Sequence, residues 1–138
     1  MNFKDLVRIG DIQEVEIDKI RAKSLVRTSE KAIISAKLIP INLDTQESIF
    51  RELYEGLRAC CEAIGYFKGY KFRSHEAIPL FLKEVLHQDS ISEKFDRYRK
   101  IRNGINYYGE TISSGSLKEA LNEIPLIISS LSKFIEKR

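Results

Sequence analysis

The stretch FDRYRKIRNGINYYGE, residues 95 to 110, combines charged, amide and aromatic side chains near the end of a predicted helix. Phe95, Tyr98 and Ile105 lie on one apolar stripe of that helix. Helical spacing places Arg102 on the same stripe, four residues after Tyr98. Because arginine keeps its charge, Arg102 must reach a carboxylate, a ligand, a partner chain or solvent at a rim. The structural alternative is an arginine whose stem packs while its guanidinium reaches water.

The residues around Arg102 weaken the helix over one turn. Asn103 and Asn106 are poor helix formers and Gly104 is worse. A weak turn with clustered polar and aromatic groups indicates that local stability was traded for a site. Its guanidinium forks, amides and phenol are suited to a phosphate and a base. The candidate site residues on this helix are Arg99, Arg102, Asn103, Asn106 and Tyr107.

Other catalytic or ligand-binding motifs are missing from the sequence. There is no Gly-rich phosphate loop, no HExxH and no Cys/His cluster, so neither a metal nor a cofactor is expected. His75 falls in the first turn of a helix, where a polar surface role is the simpler interpretation, and it is kept as a candidate binding residue. His87 suits a helix C-terminus. Cys60 and Cys61 are adjacent and are expected to be reduced thiols, one of them in the core.

Length and composition predict one globular domain, residues 1–138. Of the 138 residues 43% are hydrophobic and 31% are charged, which excludes a disordered chain. The net charge of +3 neither demands nor excludes a nucleic-acid partner. The start of the sequence has no apolar signal segment, and the longest uncharged apolar run, residues 124–132, is too short to span a bilayer. We therefore expect a cytoplasmic protein without a membrane partner.

The elements that must position the site are predicted to be helices. A short opening turn runs from Asn2 to Ile9 and closes at Gly10, Pro40 ends the next helix, and Gly109 ends the helix that carries Arg102. No alternating strand pattern is present. The fold prediction is an all-α, up-and-down bundle of four main helices with a short extra helix. Helix starts are predicted at four capping pairs and at a plainer cap: Asp11 and Glu14, Asp44 and Glu47, Ser90 and Glu93, Ser116 and Glu119, and Ser74.

The pattern RNGINYYG at the end of the penultimate long helix resembles the HEPN domain. Members of that family carry an Arg, a polar residue directly after it, and a His after four to six intervening residues. The helix order is also similar, with a long first helix, a second helix rich in Tyr, Gly and Cys (LYEGLRACCEAIGYFKGYK), and a helix start at SHEAIPLFL. The resemblance covers roughly the whole chain after residue 11.

The resemblance implies a four-helix bundle that forms a homodimer, with the two Arg motifs facing each other across a cleft. It implies a metal-independent RNase, and in many relatives a toxin paired with a small nucleotidyltransferase antitoxin. Arg102 matches the family Arg, Asn103 matches the polar position, and Tyr107 stands where the family has His. In RNA cleavage Arg102 would stabilise charge on the phosphorane. A phenol is a poor general base at neutral pH, although it can orient a group or donate a proton.

Three hypotheses follow for the function. The preferred one is a nuclease-type HEPN protein that acts on RNA with altered chemistry. The second is a catalytically inactive HEPN module that binds a nucleotide or a partner protein. The third is a helical dimer in which Arg102 makes only an intersubunit ion pair.

The position of Tyr107 sets a geometric condition on the site. On a regular helix Asn106 shares the face of Arg102, whereas position 107 is rotated by about 140° from it. Tyr107 therefore joins Arg102 only if the helix ends or bends around Gly104, or if it reaches the other subunit's half of the cleft.

Overall fold

A computed structural model of the chain describes residues 1–136. It is mostly helical, which confirms the predicted all-α class at this level, with one additional two-stranded sheet. The elements in chain order are α1 (Phe3–Ile9), β1 (Ile12–Glu14), α2 (Lys19–Leu38), α3 (Gln46–Lys68), β2 (Tyr70–Phe72), a 3-10 helix (His75–Ala77), α4 (Ile78–Glu84), α5 (Asp89–Tyr108), α6 (Ser114–Leu131) and α7 (Lys133–Glu136). No helix within residues 1–136 is long and apolar enough to cross a membrane.

Helix α3 lies at the centre of the core, and α2 packs closely against it. The face of α2 that is buried carries small residues, Ala22, Ser29, Ala32 and Ala36. The Ser29 hydroxyl donates to the Gly56 carbonyl oxygen at 2.7 Å. At the start of α2, the Asp18 backbone N–H donates to the carbonyl oxygen of Tyr66 near the end of α3. Helices α2 and α3 therefore run antiparallel.

Helix α5 packs antiparallel on another side of α3. The ring centroids of Phe50 and Tyr98 are 6.0 Å apart, and those of Tyr54 and Phe95 are 5.6 Å apart. This crossing directs the C-terminal half of α5, which carries Arg102, towards the Tyr54 side of α3.

Helix α6 runs antiparallel to α5. Near the middle of α5, Arg97 pairs with Glu119 at 3.0 Å and with Glu123 at 3.1 Å. One turn earlier on α5, Lys94 pairs with Glu123 at 3.1 Å. These ion pairs lie on a face of α5 away from Arg102.

The sequence-based helix starts are only partly right. Asp11 and Glu14 do not begin a helix, because Ile12 is buried and its segment pairs with β2, with Ile12 opposite Phe72. Helix α2 begins later, and the Asp18 side chain caps it by accepting from the Arg21 N–H at 2.9 Å. The prediction of no strand was therefore wrong for this short antiparallel pair, whose strands are separated in sequence by α2 and α3.

The other predicted capping pairs lie within about one turn of a true helix start, but other residues occupy the N-cap positions. Thr45 and Gln88 precede α3 and α5 without a side-chain capping bond, and Ser113 caps α6 by accepting from the Ser116 N–H. Ser74 directly precedes the 3-10 helix, as predicted, although its side chain makes no capping bond. The opening helix α1 does follow Asn2, which forms a capping box with Asp5.

Helices α1 and α5 end at a glycine, as predicted. Gly10 and Gly109 both adopt the left-handed conformation, at φ 91° and 64°. Pro125 lies inside α6, and the predicted last helix divides at Ser132 into α6 and α7. Both Cys60 and Cys61 are buried free thiols, so the prediction of only one in the core was wrong.

Candidate functional site

A polar cleft of about 260 Å³ lies between the start of the 3-10 helix and the C-terminal half of α5. The first element contributes a serine, a histidine and a glutamate, and α5 contributes the arginines and the residues that follow them. The cleft is lined by Ser74, His75, Glu76, Arg99, Arg102, Asn103 and Tyr107. Five of the six candidate residues named from the sequence therefore line one cleft.

Arg102 is half-buried and lies between two aromatic rings. Its guanidinium carbon is 5.6 Å from the centroid of Tyr54 and 5.7 Å from the centroid of Tyr107. One guanidinium nitrogen donates to Asn103 Oδ1 at 3.2 Å. Within residues 1–136 Arg102 makes no ion pair. The charge of Arg102 is held by cation–π contacts and is not neutralised by a carboxylate of the described chain.

Tyr107 contacts Arg102 within the last turn of α5, which is wider than a regular turn. The Gly104 carbonyl oxygen accepts from the N–H groups of Gly109 and Glu110, five and six residues further along. A regular helix would close this bond over four residues. Tyr107 is 67% exposed, so it is available to a ligand while its ring contacts Arg102.

A second cleft of about 260 Å³ opens on the other side of Arg102. Asn106 lies in this second cleft, where its Oδ1 accepts from Arg51 Nε at 2.8 Å. The lining residues are Arg51, Glu52, Tyr54, Glu55, Arg102 and Asn106. Arg102 is thus shared by two adjacent clefts, and Asn106 does not belong to the cleft of the other candidates.

Arg99 enters the first cleft already paired. Its guanidinium donates to Asp96 Oδ1 at 3.0 and 2.7 Å, and the Arg99 side chain is only 13% exposed. Although burial acts in the opposite direction, hydrogen bonds from Arg99 and Lys100 hold the pKa of Asp96 below its usual value. Arg99 therefore adds less net positive charge to the cleft than Arg102 does.

His75 is fixed in the cleft by a buried tyrosine. The hydroxyl of Tyr54 lies 3.0 Å from His75 Nδ1, and Tyr54 is 2% exposed. Burial, followed by the charges of Arg102 and Arg58, lowers the pKa of His75 to about 4. Burial also raises the pKa of Tyr54 well above its usual value. The Tyr54–His75 pair is therefore neutral at neutral pH, beside the positive charge of Arg102.

Ser74 also lines the cleft, although the sequence predicted it only as a helix cap. Its Oγ is buried and has no hydrogen-bond partner among residues 1–136. A buried hydroxyl without a partner is destabilising, so such atoms usually meet a ligand or water. Ser74 lines the same cleft as Arg102, so a rotation of its side chain would present the hydroxyl to an anionic oxygen bound there.

His75 and Ser74 lie far from the α5 motif along the chain, so no spacing rule links them to Arg102. The only sequence signal for them is the polar pair Ser-His directly before an apolar helix. Within the described part of the chain, no group of three His, Cys, Asp or Glu side chains is arranged to hold a metal ion. Comparison of the chain with protein-family models, curated protein sequences and solved structures finds no match.

Proposed function

We propose that this protein binds single-stranded RNA by holding a phosphate at Arg102, and that it is a metal-independent endoribonuclease of the HEPN type. The proposal is supported chiefly by the burial and the surroundings of Arg102. Arg102 is half-buried, lacks a carboxylate partner among residues 1–136, and lines the same cleft as Ser74, whose hydroxyl has no partner in that part of the chain. A guanidinium fork and a hydroxyl donor together match the oxygens of a phosphate.

The paired clefts favour a chain of nucleotides over a single small anion. They lie on opposite sides of Arg102 and are each about 260 Å³ in volume. A phosphodiester at Arg102 would therefore leave room for one nucleoside in each direction. Tyr107 and Tyr108 are 67% and 76% exposed at the end of α5, where a base can stack on an aromatic ring.

The carboxylates in the clefts are compatible with this assignment. Glu55 is paired with Arg58, so its charge is largely compensated. Glu52 and Glu76 line the second and the first cleft. Carboxylates at such positions accept hydrogen bonds from the amino groups of bases, which gives them a role in base preference.

We also propose the HEPN-like arrangement of the whole molecule. The antiparallel contacts of α2 with α3, α3 with α5, and α5 with α6 support an up-and-down bundle of the four long helices. The two free, buried thiols support a cytoplasmic location. A symmetric homodimer with facing Arg102 clefts and a nucleotidyltransferase antitoxin as partner stay predictions of the family resemblance. Sedimentation that finds only a 16.0 kDa species at micromolar concentration would contradict the dimer.

The direct test is binding of a fluorescent single-stranded oligoribonucleotide to the wild type and to Arg102→Ala. The loss of a charge-assisted contact to phosphate predicts weakening by about tenfold or more, and a shallower salt dependence of binding. Arg97→Ala is the matched control, because it removes the same charge from the same helix on the face that pairs with α6. Arg97→Ala is expected to bind RNA like the wild type.

The same variants separate this function from the structural hypothesis. If Arg102 only holds a dimer together, Arg102→Ala lowers the melting temperature or dissociates the dimer while any RNA binding persists. That result, or wild-type protein that binds no RNA, would refute the proposed function.

A further inference from the structure

The loop before the 3-10 helix supplies the cleft with polar atoms that the Arg102 motif itself does not contain. Ser74 lines the cleft, and its hydroxyl is buried without a partner among residues 1–136. The next residue, His75, has one ring nitrogen engaged by Tyr54 at 3.0 Å. Its other nitrogen, Nε2, makes no hydrogen bond to a described residue and is not enclosed. The cleft therefore contains an imidazole with one anchored and one available nitrogen.

RNA cleavage in this cleft requires a proton acceptor, which an anchored imidazole provides. Arg102 can bind the phosphate and offset the charge that develops on it, but it cannot accept a proton. The ring of Tyr107 also contacts Arg102, but a phenol is a poor proton acceptor at neutral pH. Two side chains that line the first cleft, His75 and Glu76, can accept a proton at neutral pH. His75 is half-buried and anchored by Tyr54, whereas Glu76 is exposed.

We propose that His75 is the catalytic residue that accepts the 2′-hydroxyl proton when RNA held at Arg102 is cleaved. This assignment rests on the proposed RNA-binding function of the cleft. The Ser74 hydroxyl donates to a non-bridging oxygen of the same phosphate. Tyr54 acts as a positioning residue: the Nδ1–H of His75 donates to the Tyr54 oxygen, so that Nε2 has the free lone pair that accepts the proton.

The step balances with water as the second proton carrier. The 2′-hydroxyl proton moves to Nε2 of His75 as O2′ forms a bond to phosphorus. The bond from phosphorus to O5′ breaks, and the leaving 5′-oxygen takes a proton from water. The resulting hydroxide removes the proton from the imidazolium, which restores neutral His75. The products are a 2′,3′-cyclic phosphate and a 5′-hydroxyl end.

The charges around His75 keep it in the form that this role requires. Burial and the arginine charges hold its pKa near 4, so the imidazole of the free protein is neutral over most of the pH range. Nearby Glu55 opposes this effect, and bound phosphate will oppose it further. The charged or titratable groups close to His75 are Tyr54, Glu55 and Arg58 on α3, Glu76 beside it, and Arg99 and Arg102 on α5.

The test uses a single-stranded RNA with reporter groups at both ends, with cleavage products identified by their ends. His75→Gln and His75→Ala are expected to reduce kcat by about 100-fold or more, with RNA affinity within threefold of wild type. His87→Asn is the matched control, because His87 lies between α4 and α5 at φ 58°, where asparagine is tolerated. Its cleavage rate is expected to equal that of the wild type.

Two further measurements exclude a merely structural role for His75. Added imidazole is expected to restore part of the activity of His75→Ala, which it would not do if the substitution had only distorted the fold. The acid limb of kcat/KM is expected near pH 4 in the wild type and is expected to be lost in His75→Gln.

The outcomes distinguish this proposal from the function on which it rests. If the wild type binds RNA in an Arg102-dependent way but forms no cyclic phosphate, the role of His75 is refuted and RNA binding stands. If His75→Gln keeps more than a tenth of the activity, or loses affinity as much as rate, His75 is not the base. If the wild type binds no RNA, both proposals fail.

Discussion

The guanidinium carbon of Arg102 lies 5.7 Å from the centre of the Tyr107 ring in the same chain. On a regular helix the two side chains would point about 140° apart, and here they meet at the last turn of α5, which is wider than a regular turn. That turn closes on the Gly104 carbonyl oxygen and ends at Gly109 in the left-handed conformation. The site thus does not need a partner subunit to bring Tyr107 to Arg102.

Ser74→Ala is expected to separate ligand binding from stability. Because the Ser74 hydroxyl has no partner among residues 1–136, its removal should leave the free energy of unfolding unchanged or slightly higher. RNA affinity should fall severalfold, since a donor to the phosphate is lost. Urea unfolding and RNA titration of the same protein measure the two effects.

A buried serine that is fully bonded provides the control for Ser74. The Ser92 hydroxyl donates to the Pro79 carbonyl oxygen at 2.7 Å, so Ser92→Ala should cost about 1 kcal/mol and leave RNA affinity unchanged. Equal destabilisation by both substitutions would contradict the assignment of Ser74 as a ligand donor.

The stability of the free protein should depend on pH through His75. Its pKa falls from 6.5 in the unfolded chain to about 4 in the folded one, so the unfolded state takes up the proton first as the pH decreases. The stabilisation is complete above pH 6.5 and is lost progressively towards pH 4. Melting temperatures between pH 7 and pH 4 should decrease less in His75→Gln than in the wild type, and His87→Asn should follow the wild type.

Gly56→Ala should destabilise the contact between α2 and α3. A Cβ at Gly56 would lie 2.8 Å from Ile33 Cδ1 and 3.2 Å from the Ser29 carbonyl oxygen. Overpacking of this kind costs about 1–3 kcal/mol. In α6, Gly115 has no atom near its Cβ position, so Gly115→Ala should be neutral or stabilising by up to about 1 kcal/mol. Thermal unfolding of both variants tests the close contact of α2 with α3 at Gly56. An unchanged melting temperature for Gly56→Ala would show that α2 can move away from α3.

Tyr107→His should raise any RNA cleavage at neutral pH. The substitution places an imidazole in contact with Arg102, at the position where the resembled family has its histidine, and an imidazole exchanges protons where a phenol does not. Product formation at pH 7 by the wild type, by Tyr107→His and by Tyr107→Phe measures the gain. A rate for Tyr107→His no higher than that of the wild type would indicate that this position does not face the reacting atoms.

The sequence by itself determined the helical character of the chain and the residues of the α5 motif. Helical periodicity placed Arg102 on an inward stripe, and glycine chemistry located the ends of α1 and α5 at Gly10 and Gly109. These features follow from local interactions between residues a few positions apart, which is why a sequence pattern reports them. The capping pairs succeeded only approximately, because several nearby polar residues compete to cap one helix start.

The tertiary structure alone decided which groups surround Arg102. Tyr54 on α3 contacts Arg102, and Ser74 and His75 at the start of the 3-10 helix line the same cleft. This arrangement depends on how the helices cross and not on sequence spacing. The same holds for β1, since Asp11 and Glu14 have the pattern of a helix start but Ile12 is buried opposite Phe72. Packing against distant residues overrides local preference when it buries an apolar side chain, and the local pattern cannot report that gain.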